Sequence, residues 1–218
     1  MAIYFASLQA SPIKVIAAVF IFGSIFLFFI NFIYLKFISR RDTGADDAFW
    51  EREAEANFVR KKPLDDLPYI KLPDDLPLST ALDDPDVKSY VDTILYLKEK
   101  RILNLQGYTN TDLKFMYGAG NLETVSLYDS NFEDITLALQ GLADKLLSLN
   151  HEEEAVKIME YLVSIDADLL HSYKYLGERY LSLMEYEKFD ELLFKAENLR
   201  TGSKKLILKS LDELKDLA

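Results

Sequence analysis

Asp-Asp-Leu-Pro occurs twice, at Asp65–Pro68 and Asp74–Pro77, and Asp83-Asp84-Pro85 follows. Carboxylates at this density could hold a calcium ion or act as a general acid–base pair. An EF-hand loop needs alternating oxygen ligands, a Gly at its sixth position and a Glu at its twelfth. Residues 64–86 contain neither Gly nor Glu, and the Asp pairs do not converge unless the fold brings them together. Nucleophile–base chemistry would have to use His151 or His171, since these are the two histidines and the chain has no cysteine. His151 lies in "LNHEEEA", a turn opening a helix, where Glu152, Glu153 and Glu154 complement the helix dipole. A metal set of His151, Glu154 and His171 lacks the i,i+4 histidine spacing of helical zinc sites. "YGAGNLE" lacks the Lys-Ser/Thr ending of a phosphate-binding loop. The residues therefore predict no catalytic, metal or cofactor site, and a chain that is not an enzyme.

The elements around these residues give the acidic stretch another role. A net charge of −11 and a pI near 4.7 argue against a nucleic-acid partner, because phosphate binding needs a basic surface. Val15 to Leu35 is an apolar run broken only by Ser24 and Asn31. As a helix it would span about 31 Å, the thickness of a bilayer's hydrocarbon core. The run is too long for a signal-peptide core, and "YLKFISRRD" offers no small-residue cleavage site. The sequence thus predicts an N-terminal tail over 1–12 and a retained transmembrane helix over 13–38. Lys36, Arg40 and Arg41 outweigh Lys14 and the α-amine, which places the N-terminus outside and the C-terminal part in the cytoplasm. Asn31 and Gly23-Ser24 suit either an ordinary anchor or a helix–helix contact.

Residues 39–85 read as a juxtamembrane helix followed by an extended strap. Trp50, Ala54 and Phe58 recur at i, i+4, i+8, giving a short amphipathic helix within Phe49–Lys62. Trp50 suits the headgroup region or the soluble part equally well. Pro63, Pro68, Pro73, Pro77 and Pro85 are five of the six prolines, and each biases its predecessor towards extended backbone. Leu67, Tyr69, Ile70, Leu72 and Leu76 are too apolar for a solvated linker. They are expected to dock on the helical domain, with that domain's own groove as one candidate berth.

From Asp86 the pattern turns helical. Val87, Tyr90/Val91, Ile94/Leu95 and Leu97 fall on one face of "PDVKSYVDTILYLKEKRILNL", with Pro85 at a first-turn position. Thr109-Asn110-Thr111 can cap a short helix, "DLKFMYG", that Gly118 and Gly120 close, and "NLETVSLYD" reads as another short piece. A longer pattern starts near Thr136, with Leu139, Leu142, Ala143 and Leu146 on a first helix and Ala155, Met159 and Leu162 on a second. It recurs 34 residues on as Tyr173, Leu176, Gly177 and Tyr180, then Phe189, Leu193 and Ala196.

"YKYLGERY", Tyr173 to Tyr180, resembles the tetratricopeptide-repeat signature W-x2-L-G-x2-Y with Tyr in place of Trp. "LQGLADKL" is similar, with Ala143 at the Gly position and Ala155 at the small position of the second helix. Phe189 and Ala167 depart from the pattern, at the second small position and the closing proline. The chain as a whole also resembles uncharacterised bacterial single-pass membrane proteins with a small repeat tail, a likeness that implies no activity. The implied fold is all-α: a transmembrane helix, a strap and, over 86–218, an α-solenoid with units at 136–169 and 170–203 and a capping helix at 203–217. The repeat resemblance implies a groove lined by first-helix residues. These are Leu137, Gln140, Asp144 and Leu147 in one unit and His171, Lys174, Glu178 and Leu181 in the next. Asp144 and Glu178 stand where the carboxylate clamp of chaperone-tail binders needs Asn, so a C-terminal carboxylate is not the expected ligand. The expected partner is a protein or peptide segment, bound by a membrane-anchored adaptor or scaffold; an accessory subunit of a membrane assembly is the alternative.

Overall fold

The computed structural model describes residues 26–34, 36 and 46–217. Among them the chain is helical, with no strand. Two compact units emerge, Met1–Glu55 and Ala56–Ala218. In the first, residues 26–34 are helical, and its large apolar side chains from Phe26 to Tyr34 are 49% to 70% exposed. The remainder of the predicted span Val15–Leu35 lies outside the described residues. Among the described residues no helix is long and apolar enough to cross a membrane. Residues 46–57 are helical, whereas the expected stretch Phe49–Lys62 loses regular structure by residue 59, and the expected apolar face is not the buried one. Trp50 is 66% exposed and Phe58 87%, whereas Ala56, in the second unit, is fully buried.

The second unit begins ahead of the helices. Residues 59–84 run without regular structure, as their prolines require. α1 (Pro85–Lys98) starts where Asp84 accepts the backbone N–H groups of Asp86 and Val87, with Pro85 in the first turn. Its buried residues, Val87, Val91, Ile94 and Leu97, form the expected stripe, while Leu95 is exposed. The helix stops at Lys98 although the apolar pattern continues to Leu105. Ile102, Leu103 and Leu105 are buried in an extended segment instead. Other elements supply that segment's hydrogen bonds. The Ile102 carbonyl accepts Ile70 N–H at 3.0 Å, and Leu103 N–H donates to the Tyr128 carbonyl at 3.2 Å. Leu105 N–H donates to Asp129 Oδ1 at 2.9 Å, and burial raises the pKa of that carboxyl.

α2 (Asn110–Tyr117) opens on a capping box between Thr109 and Asp112 and closes at Gly118, whose φ is +91°. A side chain there would strike the Arg60 carbonyl, because residues 59–62 run against this turn. Ala119 N–H donates to the Val59 carbonyl and Lys62 N–H to that of Tyr117. α3 (Leu122–Ser148) is one helix of 27 residues, not a short piece followed by a longer pattern. Val125, Phe132, Ile135, Leu139, Leu142 and Leu146, all fully buried, keep helical phase through its whole length. No Pro or Gly interrupts it before Gly141, and there Tyr90 of α1 occupies the space a side chain would need.

α4 (Glu152–Ser164), α5 (Leu170–Ser182), α6 (Tyr186–Asn198) and α7 (Lys204–Leu217) complete the chain. Each of α3 to α6 packs on its successor, and the short connections make neighbours antiparallel. α4 and α6 match end for end at an offset of 34 residues, as do the starts of α5 and α7. The turns repeat too. Asn150 and Met184 both take positive φ, 64° and 58°. His151 N–H donates to the Leu146 carbonyl, and Glu185 N–H does the same to that of Tyr180. Ala155 and Phe189 are both buried, while in α6 the inward residue is Leu192 with Leu193 at the margin. α7 packs on α5 through Ile207 and Leu211, and Leu211 and Leu214 lie over Gly177.

The strap belongs to this unit. Leu72 is 7% exposed in the main core, with Ile70 and Leu76 packed beside it, while Leu67 joins a smaller cluster with Leu105, Leu113 and Val125. Removing the Leu72 side chain leaves a cavity the neighbouring helices cannot close. Leu72→Ala is expected to lower the unfolding free energy of the full chain by about 2–5 kcal/mol. Asp75→Asn, on the exposed side of the strap, should stay within about 0.5 kcal/mol. Urea denaturation of the two variants measures both.

Candidate functional site

The eight residues assigned to the groove fall on one face of α3 and one face of α5. In each helix their spacing is i, i+3, i+7, i+10, which keeps them in line along the axis. Leu137 is 61% exposed on a helix whose other large apolar residues nearby are buried. Asp144 and Leu147 are half-buried, and His171, Lys174 and Glu178 are exposed, with Leu181 at the edge.

Gln140, Asp144 and His171 meet across the junction of the two helices. Gln140 Nε2 donates to Asp144 Oδ1 at 2.8 Å. His171 Nδ1 lies 2.9 Å from the same oxygen and 3.4 Å from Gln140 Nε2. With Asp144 as its acceptor, Nδ1 carries the proton and Nε2 faces the groove unprotonated when the ring is neutral. Ser172, fully enclosed, donates its hydroxyl to Gln140 Oε1. The sequence reading missed Ser172. Its signal was register, since it lies 34 residues after the buried Ala138. The His171 ring meets Tyr175 edge-on at 6.5 Å, and Lys174 lies 3.8 Å from Glu178.

This arrangement has the His–Asp half of a nucleophile-activating system. The other half is missing, because Ser172 is committed to Gln140 and no hydroxyl among the described residues bonds to His171. The cluster can instead hold an imidazole, an amide and an ammonium group in fixed places along the groove. Nor do the carboxylates gather: among the described residues no group of three or more His, Asp or Glu could hold a metal ion. The paired aspartates of the strap are spread over three cations, Arg101, Lys98 and Lys145. Asp65 pairs with Arg101 at 3.4 Å and Asp74 with Lys98 at 2.7 Å. Lys145 lies 3.0 Å from Asp84 and 2.8 Å from Asp86. The hydrogen bond from Lys98 holds the Asp74 carboxyl below its ordinary pKa. At Asp84, desolvation pushes the pKa up, and the bonds from Lys145, Val87 N–H and Asp86 N–H outweigh it and pull it down.

Comparison of the chain with protein-family models, curated proteins and solved structures finds no match. The groove is therefore read from its own geometry.

The strap's polar contacts run to the end of α1, to the segment after it, and to Tyr128, Lys145 and Tyr161. Tyr69 stacks edge-on against Tyr128 at 5.7 Å, with the Arg101 guanidinium 5.3 Å from the Tyr69 ring. Tyr161 donates to the Lys71 carbonyl at 3.4 Å, and burial pushes its pKa up to about 12. None of the strap's hydrogen bonds, ion pairs or ring contacts reaches the eight groove residues.

The groove network is a structural support as well as a surface. Ser172→Ala leaves the enclosed Gln140 Oε1 without a donor and should cost about 1–3 kcal/mol. Adding Gln140→Leu to it should cost less than the two single changes summed, by about 0.5–3 kcal/mol of coupling. His171→Ala, at an exposed position, should change stability by only about 0.5 kcal/mol. A double-mutant cycle in urea, with His171→Ala measured beside it, tests all three.

Proposed function

We propose that the chain is a membrane-anchored, non-enzymatic protein–protein interaction module whose groove face receives an extended segment of a partner protein. The observation that carries this reading is the 34-residue register of the two hairpins, which leaves Leu137 on α3 and His171, Lys174 and Glu178 on α5 exposed. That register is what a tetratricopeptide-like pair of units would produce. The register also supports treating α7 as a capping helix in the position of a third first-helix. An extended peptide brings unpaired backbone donors and acceptors, and the exposed His171 and Lys174 offer polar groups to meet them. Leu137 and Leu181 offer apolar contact at the two ends of the row.

The anchor rests on the hydropathy of Val15–Leu35 and agrees with the exposed apolar surface of residues 26–34. A helix apolar on all sides needs an apolar environment around it. With the basic residues after it held inside, the repeat unit would be presented to cytoplasmic partners.

Photo-crosslinking residues introduced singly at Leu137 and Lys174 in the full chain are expected to give a discrete adduct. The same residue at Asp75, exposed on the strap, should give none, and Asp144→Lys should diminish the groove adducts. Adducts equal at all three positions would overturn the groove. Orientation is tested separately, because the chain has no cysteine. A cysteine placed at Glu197 should resist an impermeant maleimide in intact cells and react after permeabilisation.

A further inference from the structure

A second surface lies on the other side of α5. Leu176 and Tyr180 are offset by two positions from Lys174 and Glu178, which turns them about 200° round the helix. They form the floor of a cleft of about 820 Å³ between α4 and α6, within the roughly 300–1,000 Å³ usual for binding clefts. Val163 and Leu192 continue the floor, and Phe194 stands on the wall with 65% of its surface in solvent. Tyr186, at the start of α6, is exposed as well, and Leu183 and Met184 carry exposed apolar surface into the turn before it.

The charges on the rim are unevenly satisfied. Both lysines are engaged within the chain: Lys188 with Glu185 at 3.0 Å, and Lys195 with Asp166 at 3.2 Å. Glu160 accepts the Tyr180 hydroxyl at 2.9 Å. Glu187, Asp190 and Glu191 have no ion-pair partner among the described residues. What the cleft leaves unmatched is therefore apolar area edged by three carboxylates.

The walls also select the backbone form of an occupant. α4 and α6 spend their interior N–H and C=O groups within their own helices, and the rim carboxylates only accept hydrogen bonds. An extended peptide lying here would bury a run of backbone carbonyls against two lysines already engaged by Glu185 and Asp166, leaving most of those carbonyls without a donor. A helix satisfies its own backbone and presents side chains alone. We propose that the cleft between α4 and α6 docks a cationic amphipathic helix of a partner protein. Its apolar face packs on Phe194 and Leu192, and its flanking lysines or arginines pair with Glu187, Asp190 and Glu191. This assignment does not rest on the groove reading, which uses the opposite face of α5.

The test uses the full chain and fluorescently labelled peptides of about 18 residues, long enough to populate helix in water. One carries a leucine face flanked by lysines, a second has glutamate for every lysine, and a third scrambles the first. Polarisation should show the lysine peptide binding at least about tenfold tighter than either control, and weakening as salt is raised. Glu187→Lys/Glu191→Lys should lower that affinity about tenfold or more, and Phe194→Ser should lower it too. Asp66→Lys/Asp75→Lys changes the net charge equally on the strap and should leave it within about twofold. These positions are all exposed, and unchanged urea midpoints would show the variants folded. Equal binding of the lysine and glutamate peptides, or loss through the strap variant or Asp144→Lys instead, would overturn the proposal. So would a dimer of the unliganded chain that Glu187→Lys/Glu191→Lys dissociates, since the occupant would then be a second copy.

Discussion

A pair of stacked helical hairpins has two open ends, and each presents apolar side chains that its own helices cannot cover. The rest of the unit follows from closing those ends. At the first, α1 lays Val87, Val91, Ile94 and Leu97 against α3, and Tyr90 takes the space above Gly141. At the second, α7 lays Ile207 and Leu211 on α5, over Gly177. The two glycines have the same use: each lets a covering side chain approach closer than any Cβ would permit. Lys145 reaches from α3 to Asp84 and Asp86, so the first turn of α1 is fixed to the helix it covers.

Covering an end with a helix that must then connect back to the stack creates a second problem. The chain between α1 and α2 has to pass through the interior, where its backbone groups need partners. Residues 101–108 find them on several elements. Tyr128 and Asp129 of α3 take N–H groups of Leu103 and Leu105. Asn131 donates to the Arg101 carbonyl at 2.9 Å, and the strap supplies Ile70 N–H. Asn104 and Gln106 tie the segment to the turn between α4 and α5, through the Ile165 carbonyl at 3.1 Å and Asp168 at 2.9 Å. The strap is thus one of the hydrogen-bonding partners of a buried irregular segment, and Leu72 fills space that this crossing opens.

What the sequence made legible follows the same division. The hairpins can be read because Leu142 and Leu176, Ala143 and Gly177, and Leu146 and Tyr180 repeat at one spacing, and local periodicity is enough. The strap's apolar residues can be read because five of them in so acidic a stretch have no other use. The end of α1 cannot, since Ile102, Leu103 and Leu105 are apolar whether the backbone is helical or extended; only partners distant in sequence decide. On paper α3 divides between Asp129 and Thr136, where the polar Ser130, Asn131, Glu133 and Asp134 break the local hydrophobic run. In the folded chain Phe132 keeps the helical phase across them. In the groove the row of eight residues is legible from register. The Gln140–Asp144–His171–Ser172 contacts are not, because they depend on how closely α3 and α5 approach.

α5 serves as the shared wall of two surfaces, and the difference between them lies in what each leaves unpaired. Towards α3 it offers the ammonium of Lys174, which donates, and the imidazole of His171, which can accept. An extended backbone, which has both donors and acceptors to satisfy, suits that mixture. Towards α4 and α6 the cations are already held by Glu185 and Asp166, and what remains is carboxylate and apolar surface. Such a face can only receive donors and hydrocarbon. A ligand that has already closed its own backbone hydrogen bonds loses nothing there, whereas an open chain would. Tyr180 marks the boundary: its ring is buried and its hydroxyl is given to Glu160, so burial, with that carboxylate adding to it, holds the phenol neutral well above its ordinary pKa. Beside Glu160, the cleft's unpaired carboxylates are Glu187, Asp190 and Glu191, all on α6, and a change of sign there leaves the groove face of α5 untouched.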